Sequence, residues 1–190
     1  MPYSERFEEA LLYALRLHAG QSRKGTDVPY VTHLMAVAAL VAEYGGDENQ
    51  VIAALLHDAV EDQGGAPRRL EIQGPFGNGV LQIVDDLTDT DQTPKPPWRE
   101  RKEAYIRHLA DAGERSLVVC AADKLHNARS IIADWRRIGD AVFTRFKGGK
   151  HGALWYFRAV YEALRERDES PIVEELGRAV RELEQLAGDS

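Results

Sequence analysis

His33, the adjacent pair His57-Asp58 and Asp123 are side chains of the types that bind divalent cations, and Glu61 and Asp62 follow the pair by one helical turn. In a helix, Glu61 lies four positions from His57 and three from Asp58, on one shared face. Metal ligands and free acids on one surface are the layout of a metal-assisted hydrolase. Neighbours on a helix point about 100° apart, so His57 and Asp58 reach one ion only if it sits between their directions. His57-Asp58 follows Ala53-Ala54-Leu55-Leu56, and Asp123 follows Leu117-Val118-Val119-Cys120-Ala121-Ala122. Burying an acid without a cation or hydrogen-bond partners costs on the order of several kcal/mol. A cation between the acids is therefore the better account, although each residue alone has an ordinary reading as a satisfied polar group or salt-bridge partner. The mixed imidazole and carboxylate set suits Mn²⁺, Fe²⁺ or Zn²⁺ better than Ca²⁺, and the lack of thiolates argues against structural zinc.

The elements that must position these groups read as helices. Ser4 can cap a first helix in which Phe7, Leu11, Ala14 and His18 recur at three-to-four spacing and which Gly20 ends. A polar loop covers 21–29, and a second helix spans about 32–44. Asp47 and Gln50 form a capping-box pattern that opens a third helix over 48–62, closed by Gly64-Gly65. Short helices follow at 67–73 and 77–86, then a loop at 89–97 containing Pro94, Pro96 and Pro97, and a charged helix over 98–112. Ser116 can cap a long seventh helix ending near Arg137. The last two helices are expected over 150–167 and 171–187, with Pro171 suited to a first helical turn.

The third and seventh helices are apolar on more than one face and belong at the centre. The final helix, dense in Glu and Arg, reads as a solvated outer layer. Trp155 and Tyr156, at helical spacing from Val160, read as core rather than as a stacking platform. Without β-alternation or repeats, the fold class is all-α. One domain over 1–190 is expected, its core over about 4–160 and the helix 171–187 appended.

The chain has 190 residues, of which 44% are hydrophobic and 29% charged, enough for one domain with a real core. Its longest apolar run, 34–42, is too short for a bilayer, and the N-terminus lacks a signal-peptide pattern. Cys120 stands alone, so no internal disulfide can form, and a buried small hydrophobe is its reading. A cytoplasmic protein with no membrane partner is expected. The net charge of −7 argues against nucleic acid as a partner, while a bound cation and local Lys or Arg still allow a phosphorylated substrate. Self-association into a homo-oligomer is left open.

Three runs carry a resemblance: Pro29-Tyr30-Val31-Thr32-His33, Ala54-Leu55-Leu56-His57-Asp58-Ala59-Val60-Glu61-Asp62, and Ala121-Ala122-Asp123-Lys124-Leu125-His126-Asn127-Ala128-Arg129. They resemble the HD-domain phosphohydrolases, most of all the branch that hydrolyses the stringent-response alarmone (p)ppGpp, namely the hydrolase half of RelA/SpoT-type enzymes and the small alarmone hydrolases. The likeness runs from the first helix to about Asp134 and leaves no room for a synthetase. It implies an HD-domain helical bundle of about eight to nine helices. It also implies one divalent transition metal on His33, His57, Asp58 and Asp123, with Mn²⁺ first and Fe²⁺ or Zn²⁺ as alternatives.

By the same resemblance Glu61 and Asp62 match an acidic pair that orients or deprotonates the attacking water, Glu61 being the longer and sharing the ligand face. Arg23 and Lys24 match a basic pair beside the nucleotide, Asn127 a residue near the ribose and phosphates, and Ser130 a position often held by Thr. Tyr30, with core packing as its alternative, and Lys124 are counted on the substrate side. Arg129 is expected to pair with an acid such as Asp134. Departures from the family pattern are Leu34 for Pro, the loop Gly25-Thr26-Asp27-Val28, Gln63 for Thr and the proline-rich 90–97 stretch. The implied reaction removes pyrophosphate from the 3′ position, leaving GDP or GTP. Two other readings stand beside it: a phosphatase on a nucleoside monophosphate or NADPH, and a non-catalytic effector-binding module, against which the intact Glu61-Asp62 pair argues.

Overall fold

Ten α-helical segments and one 3-10 helix follow one another in the computed structural model, which describes residues 3–188. Residues 1–2 and 189–190, the ends of the expected domain and of the segment screened for a signal peptide, lie outside the described residues. The α-helices are α1 (Glu5–Leu17), α2 (Val31–Glu43), α3 (Glu48–Leu56), α4 (Ala59–Asp62), α5 (Ala66–Phe76), α6 (Asn78–Leu87), α7 (Trp98–Leu109), α8 (Glu114–Ile138), α9 (Gly149–Arg165) and α10 (Pro171–Gly188). A 3-10 helix, Gly139–Arg145, joins α8 to α9 and has no counterpart in the sequence reading. Among the described residues there is no strand, only an isolated bridge between Ser22 and Pro29. The all-α expectation holds, and the helices number nine if α3 and α4 are counted as one interrupted helix. No helix is long and apolar enough to cross a membrane among the described residues.

The two helices expected at the centre are there. Every residue of α3 from Val51 to Leu56 is at most 2% exposed, so the segment has no solvent face. It packs on α1, α2, α6 and α8. Asp47 accepts from the Gln50 backbone N–H while the Gln50 side chain accepts from that of Asp47, completing the capping box. Gln50 Nε2 also donates to the Arg115 carbonyl, tying the start of α3 to the start of α8.

Two cap expectations change. Ser4 occupies the N-cap of α1 without a side-chain cap bond; its backbone N–H goes to Glu48 instead. Ser116 is not the cap of α8, which begins at Glu114 after Gly113. The acceptor for this helix start is Asp86 of α6, whose Oδ2 takes the Gly113 N–H (3.2 Å) and the Ser116 hydroxyl (2.6 Å). A buried carboxylate from another element thus does what a local serine was expected to do.

The final helix is not simply an outer layer. Ile172, Val173, Leu176, Ala179, Val180 and Leu183 form a buried stripe against α8 and α9 at helical spacing. Acids flank the stripe, where Glu175 and Glu182 pair with Arg129 and Arg136 of α8 and Glu184 with Arg158 of α9. Gly177 allows the close approach, since a Cβ there would lie 2.6 Å from the Tyr161 ring.

Asp86 is 4% exposed and serves partners on α7 and α8, so Asp86→Ala should leave Ser116 and the first turn of α8 without their acceptor. We expect a loss of about 2–3 kcal/mol in urea denaturation. Superimposable curves would show that α8 does not depend on this cap.

Candidate metal centre

The expected continuous helix over 48–62 is interrupted at the two residues on which the chemistry depends. His57 keeps helical torsions, but Asp58 leaves them (φ −96°, ψ 1°) before α4 starts at Ala59. In an unbroken helix the two side chains would splay by about 100°. With the break, His57 Nε2 and Asp58 Oδ2 come within 3.0 Å. After Gln63 the chain turns away through Gly64 (φ +122°) and Gly65 (φ +67°), torsions that residues with a Cβ rarely adopt.

His33 enters from α2 and Asp123 from α8. His33 Nε2 lies 3.2 Å from Asp123 Oδ1 and 3.9 Å from Asp58 Oδ2, and His57 Nε2 lies 3.7 Å from Asp123 Oδ1. A ligand bond of about 2.0–2.2 Å puts two ligands at right angles about 3 Å apart, so this spacing fits donors around one ion. Both imidazoles are at most 2% exposed. His57 Nδ1–H donates to the Ala54 carbonyl (2.8 Å), which turns the Nε2 lone pair inward. That Nε2 is buried and has no hydrogen-bond partner. Leaving such an atom unsatisfied costs about 1–3 kcal/mol, and a divalent cation would satisfy it. These donors fit a divalent metal.

The two carboxylates demand positive charge between them, which a proton on His57 supplies when no cation is there and which a cation would displace. Burial opposes ionisation of Asp58, yet His57 holds its carboxyl well below the usual range. Burial also opposes ionisation of Asp123, and Lys124 with His33 and His57 overcomes it. Burial lowers the His33 pKa, whereas for His57 the two carboxylates outweigh burial and raise it well above the imidazole range. The Tyr30 hydroxyl donates to Asp58 Oδ2, and burial followed by the charge of Asp58 pushes the phenol far above its ordinary value.

Glu61 and Asp62 on α4 border this cluster. Glu61 Oε1 takes Lys95 Nζ (3.0 Å) and lies 3.6 Å from Arg101, while Oε2 faces the Asp89 N–H (3.4 Å). The 89–97 stretch, a loop as expected, thus rests on α4. Asp62 Oδ2 accepts from Gln21 Nε2 (3.0 Å), and Lys95 stands 3.9 Å from its other oxygen. Burial and then the charge of Asp58 raise the Asp62 pKa, with Gln21 working against them.

The six residues expected on the substrate side do not all gather here. Arg23 donates to Asn127 Oδ1 (2.8 Å), and Asn127 Nδ2 donates to Asp123 Oδ1 (2.6 Å). Tyr30 meets Asp58, and Lys124 donates to Asp123 Oδ2 (2.6 Å). Lys24 is exposed over the Phe146 ring at 5.6 Å, and burial, then Lys147 and Lys102, lower its pKa. The Ser130 hydroxyl is taken up by the His126 carbonyl in its own helix. Arg129 does pair with an acid, but with Glu175, while Asp134 takes Arg145. Trp155 and Tyr156 are half-buried in a cluster with Trp98, with Arg99 over Trp155 at 3.3 Å.

Sequence reasoning missed the neighbours that hold these groups. Lys95 and Arg101 carry no local signal, because they meet Glu61 only through the fold of the loop. His126 had one, since it follows Asp123 by three residues on α8 and so turns to a neighbouring face. Its Nδ1 lies 2.8 Å from His33 Nδ1. If His33 offers Nε2 to a cation, its Nδ1 carries the proton and His126 must accept it. Burial, then His33 and Arg23, lower the His126 pKa to about 4, which keeps that acceptor neutral.

Comparison with known proteins follows the same lines. Residues 10–154 match the family described as HD domain. A guanosine-3′,5′-bis(diphosphate) 3′-pyrophosphohydrolase of Xenopus tropicalis is 35% identical over 126 residues, covering 65% of this chain and 68% of that protein. The bifunctional (p)ppGpp synthase/hydrolase SpoT of Escherichia coli K12 is 32% identical over 133 residues, covering 67% of this chain but 18% of that much longer protein. A solved structure of a metazoan SpoT ortholog, described as hydrolysing ppGpp, superposes with a TM-score of 0.77 at 27% identity over 95% of this chain and 97% of that one.

His126→Phe removes the acceptor behind His33 and should weaken divalent-metal affinity by about 10–100-fold. Competition against a chelating fluorophore measures this. Unchanged affinity would mean that His33 is oriented by packing alone.

Proposed function

We propose that this chain, which belongs to the HD-domain family, is a metal-dependent phosphohydrolase that removes the 3′-pyrophosphate of (p)ppGpp and leaves GDP or GTP. The observation that carries the reading is the convergence of His33, His57, Asp58 and Asp123 beside the acidic pair Glu61-Asp62. Similarity to pyrophosphohydrolases over most of the chain supports the substrate.

His33, His57, Asp58 and Asp123 would hold the ion, for which Mn²⁺ is the first candidate and Fe²⁺ or Zn²⁺ the alternatives. When bound, it supplies charge stabilisation at the phosphoryl oxygens and makes water a better nucleophile. Glu61 lies on α4, one turn past Asp58, where its carboxylate can take the proton of the attacking water. The water oxygen bonds to the phosphorus nearest the ribose, the bond from that phosphorus to the 3′ oxygen breaks, and that oxygen regains a proton. Asp62, on the same turn, aligns the water. Lys95 and Arg101 lie where they can meet the departing pyrophosphate. A phosphate that draws Lys95 away also frees the Glu61 oxygen it occupies. Arg23, reaching Asn127, can stack on the purine or grip phosphate through two N–H groups.

Purified Mn²⁺-loaded protein should release pyrophosphate from ppGpp at micromolar substrate. Orthophosphate release would favour the nucleotide-phosphatase alternative, and no product at all would sink both. Glu61→Gln should keep the metal and lose about 10²–10⁴-fold in turnover. Arg23→Ala should chiefly raise KM, and an unchanged KM would move the nucleotide elsewhere.

A further inference from the structure

Outside the metal cluster, Gln21 meets Asp62, and His18 and Gln63 meet Gln21. Gln21, in the loop after α1, donates through Nε2 to Asp62 Oδ2 at 3.0 Å. Its Oε1 accepts from Gln63 Nε2 and lies 2.7 Å from His18 Nδ1. The Asp62 carboxylate, which can only accept, fixes which way the Gln21 amide points, and the amide oxygen then calls for the proton of His18 on Nδ1. If the amide were flipped, its NH₂ would face both donors and its oxygen would face a carboxylate. His18 is itself immobilised: it is 3% exposed and its ring stacks on Tyr30 at 5.4 Å. Tyr30 in turn donates to the ligand Asp58.

We propose that Gln21, locked by His18 and Gln63, is a positioning residue that presents the Asp62 carboxylate to the metal centre. The arrangement has a directional consequence. Gln21 can only donate to Asp62, so it favours the ionised carboxylate and holds it in one rotamer. The groups facing Asp62 otherwise are Asp58 at the α3–α4 junction, Glu61 on its own turn and Lys95 from the 89–97 loop. The two acids work against ionisation, and Lys95 reaches only the other oxygen at 3.9 Å. Gln21 is therefore the neutral donor that steadies an acid crowded by like charge. Gln63 is the outer clamp, donating to Gln21 Oε1 at 2.5 Å. This inference rests on the catalytic reading of Asp62 given above.

The test uses Gln21→Leu and Gln63→Leu in the full chain. Carboxyl ¹³C titration of the metal-free proteins reports Asp62 without any substrate. Loss of the donor should move its titration upward by about one pH unit in Gln21→Leu, and less in Gln63→Leu. With metal and ppGpp, kcat should fall about tenfold and its acid limb should shift to higher pH, while KM and metal affinity stay put. Should Gln21→Leu fail to fold or lose metal, Gln63→Leu decides, because it leaves Gln21 in place. An Asp62 titration and an acid limb identical to those of the unsubstituted protein would overturn the proposal. Absence of pyrophosphate release from the unsubstituted protein would instead defeat the substrate reading and leave the ¹³C result to stand or fall separately.

Discussion

Two imidazoles and two carboxylates meet where α2, the α3–α4 junction and α8 converge, and they meet because apolar packing leaves them nowhere else to go. Ala53 and Ala54 on α3 face a core that also holds Ala121, Ala122 and Ala128 of α8, all fully buried. Small side chains let helix backbones approach, so each imidazole Nε2 comes within 3.0–3.9 Å of both carboxylates. The same packing excludes water from His57 Nε2. Hydrophobic burial thus assembles a set of charges that burial alone would disfavour, and a cation reconciles the two.

The interrupted helix is the local half of that compromise. A continuous α3–α4 would have been better hydrogen-bonded but would have pointed His57 and Asp58 apart. Asp58 adopts bridge-region torsions instead, a conformation sparsely allowed and common at active sites. The sequence announces the ligands here but not the break, because Ala, Val, His and Asp carry no helix-stop signal. What was legible is local in the chain: the Asp47–Gln50 box, the glycine pair after Gln63, the buried runs before His57 and Asp123. What was not legible joins distant positions. The cap of α8 comes from Asp86, 27 residues before Gly113. The apolar stripe of α10 was obscured by its charge density, although it recurs at helical spacing. The partner of His33 is His126, whose place one turn from Asp123 was visible but whose contact with His33 depends on the packing of α2 on α8.

Net charge and local charge also separate. The chain carries −7, yet Lys124, Lys102, Lys95, Arg101 and Arg23 all stand around the acids of this region. Four are matched at short range by acids, Lys124 by Asp123, Lys102 and Arg101 by Asp89, Lys95 by Glu61, while Arg23 donates to the neutral Asn127. The bulk of the negative charge lies elsewhere, so it exerts only a screened field on a ligand at the site.

The two neighbouring acids show what such matching does. Glu61 and Asp62 differ by one methylene and one position, but their neighbours differ in kind. Glu61 takes the charged Lys95 from a loop exposed to solvent, a contact any incoming phosphate can compete for. Asp62 takes the neutral Gln21, anchored through His18 to the body of the protein, with Lys95 more distant at 3.9 Å, so a phosphate competes for it less strongly. One acid is therefore held by a charged partner that a polyphosphate attracts, and the other by a neutral one that it attracts less. On the proposed reaction, that asymmetry leaves Glu61 free to move a proton once substrate is present and keeps Asp62 as a fixed point for the water. Where two like groups sit together, opposed environments are what divide their roles.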